Sequence, residues 1–70
     1  MYYEAIHTLI KSAAAAQGVT IVQLVQSHGI RQSTYYRHLK QGTPWKLKDI
    51  EALADITHKS TAEIIDLIKR

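Results

Sequence analysis

Five polar side chains between positions 32 and 40 recur at a spacing that would line them up for one kind of chemistry, hydrogen bonding to a patterned polyanion. With Arg31 to Gln41 helical, Gln32 and Tyr36 lie one turn apart, as do Ser33 and Arg37, and Lys40 continues the row. Tyr35, His38 and Leu39 then fall on the opposite face. A glutamine amide makes a bidentate pair with adenine, and a guanidinium with guanine or a phosphate. The charge around these residues is sorted along the chain. Arg31 to Lys48 holds five basic residues (Arg31, Arg37, Lys40, Lys46, Lys48) and no acid, whereas Asp49 onward holds five acids against three bases. Such sorting predicts one surface that meets a polyanion and another that does not. Charge alone fits a solvated helix face equally well.

Other chemistries find little support. No two of His7, His28, His38 and His58 are spaced as a His-x₃₋₅-His pair, and the chain has no cysteine to complete a metal site or a disulfide. His28 and His38 read as packed residues within or beside the helix pair. Asp49, Glu51 and Asp55 share a predicted helix with no positioned nucleophile or glycine-rich phosphate loop nearby, so they read as a solvated face. A chain of 70 residues also has little core to give to a substrate cavity of roughly 300 Å³. The expectation is no enzyme, no metal, no cofactor and no small-molecule ligand.

The elements that must position the polar row follow from periodicity. Ile6, Leu9, Ile10 and Ala13 predict a first helix over roughly 2–16, stopped at Gly18. Thr20 is the N-cap of a short second helix carrying Ile21, Leu24, Val25 and His28, closed by Gly29. Its run of β-branched residues also suits a strand, but no second strand-like run exists to pair with it. The third helix ends at Gly42-Thr43-Pro44. Leu47, Ile50, Leu53 and Ala54 mark a fourth over roughly 46–57, and Ser60 with Glu63 forms a capping box that opens a fifth. Residues 1–70 read as one all-α domain of five helices. The longest uninterrupted apolar run, Ala13 to Ala16, is far below the about 20 residues of a membrane span, and the start lacks a basic signal region.

A resemblance sharpens this. Thr20-Ile-Val-Gln-Leu24-Val25, Gly29-Ile30, Gln32-Ser33-Thr34-Tyr35-Tyr36-Arg37 and Gly42 together resemble the helix-turn-helix of the Cro and phage-repressor family. The flanking Pro44, Leu47, Ile50, Leu53 and Ser60-x-x-Glu63 extend the similarity from about Ile6 to Ile68. It implies a five-helix, lambda-repressor-like fold whose third helix enters the DNA major groove. Gln32 and Ser33 would read bases, with Arg31, Tyr36, Arg37, Lys40, Lys46 and Thr20 completing the DNA-binding set. The chain departs from the family at Ile21, Val25, Arg31, Tyr35, His38, Ala14 and Thr57, where the usual residues are respectively Gln, Ala, Ser or Thr, two aliphatics, Arg and Leu.

The expected partner is a double-stranded DNA operator, not a membrane. The expected role is that of a Cro-type repressor from a phage or mobile element, located in the cytoplasm on the nucleoid. The short chain, with nothing after the fifth helix to sense a ligand, favours Cro over a two-domain repressor. Ile64 with Leu67 or Ile68 suffices to close the core, which leaves Ile65 for a weak homodimer completed on DNA. Trp45 is expected to anchor the turn, and Tyr36 to face DNA. A rival expectation is a protein-binding adaptor of the same fold, with Ile21 and Val22 exposed as its contact surface.

Overall fold

The computed structural model describes residues 1–69 and, among them, contains five helices and no strand. They are α1 (Glu4–Gln17), α2 (Ile21–Ser27), α3 (Gln32–Gln41), α4 (Leu47–Thr57) and α5 (Thr61–Ile68). The fold class read from the sequence is the one observed. The β-branched run is helical because Thr20 starts it with a reciprocal cap. The Thr20 hydroxyl accepts from the Gln23 amide at 3.1 Å, and the Thr20 amide donates to Gln23 Oε1 at 2.9 Å. Ser60 and Glu63 make the same exchange at the start of α5.

α1, α4 and α5 pack on one another, α2 packs on α1 and α3 packs on α2. The shared core contains Ile6, Ile10, Leu24, Val25, Ile30, Leu53, Ile56 and Ile64, all nearly inaccessible. Val25, at a helix crossing where a smaller residue is usual in the resembled family, is fully buried. Thr57 satisfies its hydroxyl within α4 by donating to the Leu53 carbonyl at 2.7 Å, so a polar residue is tolerated beside the core.

Three details differ from the sequence expectations. α1 begins at Glu4, because Tyr3 takes a left-handed conformation with φ of 57° and turns the chain away from the helix. Leu47, expected on the apolar face of α4, is 67% exposed. It is the first residue of α4, and the apolar side chain buried next to that start is Trp45, two residues earlier. Ile21 and Val22 are only half-exposed, since α2 meets α1 at 95° and this turns Ile21 onto the core. The apolar surface expected for an adaptor is correspondingly reduced. No single helix among the described residues is long and apolar enough to cross a membrane.

Candidate nucleic-acid interface

The turn between α2 and α3 is built from backbone hydrogen bonds. The Ile30 amide donates to the Val25 carbonyl and the Gly29 amide to the Gln26 carbonyl, both at 3.0 Å. This six-residue closure requires a left-handed residue after the helix, and Gly29 supplies it with φ of 86°. Ile30 and Val25 are both buried, so the turn is pinned by an apolar contact as well. α3 therefore leaves the turn in a set direction.

The two faces of α3 separate as the periodicity requires. Tyr35, His38 and Leu39 are buried, whereas Gln32, Ser33, Tyr36, Arg37 and Lys40 are exposed. On the inner face, the Tyr35 hydroxyl and His38 Nδ1 are each held by a hydrogen bond. The Tyr35 hydroxyl lies 2.9 Å from His7 Nδ1 on α1. Burial, and secondarily the neighbouring Tyr36, pushes the Tyr35 phenol far above its ordinary range, so it stays neutral. His38 Nδ1 sits 2.9 Å from the Thr43 carbonyl, an acceptor that places the proton on this nitrogen, and 2.6 Å from the Thr43 hydroxyl. Trp45 gathers the aromatic rings beneath the helix, with Tyr3 at 5.5 Å, Tyr35 at 6.1 Å and His38 at 4.0 Å between centroids. Trp45 is thus a core anchor, buried to 8% exposure.

Several of the exposed side chains line two grooves. One, of about 350 Å³, runs between α3 and the segment joining it to α4 and brings together Arg31, Arg37, Lys46 and Lys48, with Thr34 and Thr43 between them. Asp49 is the single acid in its wall. Among the described residues, none of these four cations makes an ion pair; the pairs present are His28 with Asp55 and Lys59 with Glu63. Four cations against one carboxylate leave the concavity net positive, a setting that favours an anion such as a phosphate. Tyr36 and Lys40 instead line a second groove, with Met1, Tyr2 and Leu39. Gln32 and Ser33 stand exposed on the first turn of α3, and Arg31 is its N-cap residue without using its side chain as a cap. Thr20 lies at the exposed start of α2 with its hydroxyl engaged in the capping box.

Two residues missing from the sequence-derived set belong to these surfaces. Lys48 faces the same groove as Lys46, and the basic run from Arg31 to Lys48 was the available signal for it. Tyr2 lies at the far end of α3, bonded to Leu39 and resting on Gly42, and no local pattern announces a contact so distant in sequence.

The histidines occupy structural positions. His28 caps α2 with Nδ1 3.1 Å from the Leu24 carbonyl, and its Nε2 lies 3.4 Å from Asp55 on α4. His58 ends α4 in a left-handed conformation.

The model of the BetR domain family matches residues 3–70, and the chain belongs to that family. BetR domains are small helical domains associated with DNA-binding, helix-turn-helix-like regulators. Comparison with curated proteins and with solved structures gives no significant match.

Proposed function

We propose that the chain is a sequence-specific, double-stranded DNA-binding transcriptional regulator. In the finer reading it is a Cro-type repressor, of the kind phages and mobile elements encode, that occupies an operator and performs no chemistry. The supporting observation is the division of α3. Its inner face is locked into the core by Tyr35, His38 and Leu39, and its outer face offers Gln32, Ser33, Tyr36, Arg37 and Lys40 beside three further cations, Arg31, Lys46 and Lys48, without an ion pair among the described residues.

In this reading the outer face of α3 lies in the major groove, with Gln32 and Ser33 on base edges. Arg31, Arg37, Lys46 and Lys48 hold the phosphates of one strand, and Lys40 and Tyr36 those further along. Thr20 acts at the start of α2, beside the same backbone. Ile65, at 36% exposure, provides a small apolar contact for a second copy, so that two subunits meet on a two-fold operator.

The test is selection from random duplexes followed by sequencing of the bound fraction, with fluorescence anisotropy of the winners at increasing salt. Enrichment of a defined motif and a steep fall in affinity with salt are expected. Absence of any enriched motif, with no retention of duplex DNA at low salt, would refute the reading.

A further inference from the structure

A concavity of about 540 Å³ lies outside the helical core. It sits at the C-terminal end of α3, lined by Met1, Tyr2, Tyr36, Leu39 and Lys40. Three of these are among the most exposed large apolar side chains of the chain: Met1 at 71%, Tyr2 at 56% and Tyr36 at 38%. Exposed aromatic surface concentrated in one place marks a contact surface more often than chance placement.

The segment that builds this groove is held in place by specific bonds. The Tyr2 amide donates to the Leu39 carbonyl at 2.8 Å, next to the last turn of α3. The Tyr3 hydroxyl donates to the Gly42 and Thr43 carbonyls at 3.1 and 2.9 Å. The Tyr2 ring lies so close over Gly42 that a Cβ there would fall 2.6 Å from it. Gly42 thus serves twice, as the left-handed end of α3 with φ of 68° and as the bare floor on which Tyr2 rests.

From this placement we infer that Met1–Tyr3 is a fixed extension of the DNA-binding face, and that the Tyr2–Tyr36 groove receives the deoxyribose-phosphate backbone beyond the bases read by α3. The inference rests on the DNA-binding reading and adds a surface to it. Tyr36 and Lys40 belong at once to the exposed face of α3 and to this groove, so the two surfaces are continuous. Lys40 brings a charged side chain to the lining, and no acid accompanies it. Tyrosine rings present an apolar edge to a sugar, and the lysine places a cation for the adjoining phosphate. A sugar-phosphate strand is alternately apolar and anionic, which matches that arrangement.

Contact with a sugar carries no sequence preference and neutralises no phosphate. Tyr2→Ala should therefore weaken binding to every duplex by about five- to tenfold. It should leave the slope of affinity against salt unchanged, whereas Lys40→Ala should flatten that slope by about one unit. Hydroxyl-radical footprinting, which reports deoxyribose accessibility, should show protection lost at one edge of the site in Tyr2→Ala and kept in Tyr2→Phe. Circular dichroism melts of the same variants establish that the domain is folded in each case.

Arg37→Ala separates this inference from the reading beneath it. If Arg37→Ala weakens binding while Tyr2→Ala leaves affinity and footprint as in the parent, the groove is not a DNA contact and the inference fails alone. If the parent protein binds no duplex, both readings fall. Sedimentation covers a second copy of the chain as the occupant: concentration-dependent self-association that disappears in Tyr2→Ala would also overturn the inference.

Discussion

The imidazole of His38 lies flat against the indole of Trp45, with ring centroids 4.0 Å apart and planes 27° from parallel. His38 is on α3 and Trp45 in the segment that follows it, and Thr43 between them is bonded back to His38. The end of the proposed recognition helix and the basic segment carrying Lys46 and Lys48 consequently form one unit. Burial of this pair has a cost, since His38 Nε2 and Trp45 Nε1 have no hydrogen-bond partner among the described residues.

Truncating that stack should loosen both parts. His38→Ala removes a buried ring and the anchor of Thr43, and should destabilise the domain by about 2–3 kcal/mol. Urea unfolding followed by the fluorescence of Trp45, the single tryptophan, is the measurement. A change below about 0.5 kcal/mol would show that the stack is not needed to hold the segment.

Gln32→Ala should relax preference at one base position and cost about 1–3 kcal/mol on the selected operator. Affinities for the operator and its single-base variants provide the comparison. Equal weakening on operator and random duplex would remove Gln32 from base reading.

Arg37→Ala and Lys48→Ala should each weaken binding to all duplexes alike and flatten the log–log salt dependence by about one unit. Both cations face the groove of about 350 Å³ and neither is ion-paired among the described residues. Parental salt slopes in both variants would contradict their assignment to phosphates.

Two glycines with similar backbone angles should respond differently to alanine. Gly29 has φ of 86° and open space around it, so Gly29→Ala should cost only the strain of the left-handed region, about 1–2 kcal/mol. Gly42→Ala meets that strain and the Tyr2 ring at 2.6 Å, and should cost more while displacing Tyr2 from α3. Thermal melts rank the two variants, and Tyr2→Ala in the Gly42→Ala background should recover part of the loss.

The cap of α5 should weaken in acid. The Ser60 amide and hydroxyl, assisted by Lys59, hold the exposed Glu63 carboxylate below its ordinary range. A lowered folded-state value means that the carboxylate's contribution is complete above its unfolded value, near pH 4.3. It is then lost as pH falls through the folded-state value. The stability difference between the parent and Glu63→Gln, measured by denaturant unfolding, should therefore be larger at pH 7 than in acid. A constant difference would show that the ionised form makes no special contribution.

Most of the helices were legible because their ends have a local cause. Thr20 and Ser60 begin two of them, and Gly18, Gly29 and Gly42 end three with left-handed turns. The two faces of α3 could likewise be assigned from spacing alone, and Tyr35 and Gln32 fall on the sides expected. Leu47 was misread because periodicity does not say how far a buried stripe reaches into the first turn of a helix; Trp45 is buried just before α4 and Leu47, its first residue, is exposed. The Tyr2 groove was illegible for a different reason. It depends on residues 2 and 42 meeting, and no helical period relates positions so far apart.

The tie from Tyr3 to Gly42 and Thr43 also bears on the order in which the domain assembles. It joins residues 39 and 40 positions apart, whereas the bonds of the α2–α3 turn join residues five positions apart or fewer. Closing the longer loop costs more chain entropy, so the turn is the cheaper structure to form first. By the same reasoning, the clasp can open without dismantling the turn. Amide exchange would then report two protection levels at the two flanks of one short helix: shallow at Tyr2, which covers its end, and deep at Ile30, which sets its beginning.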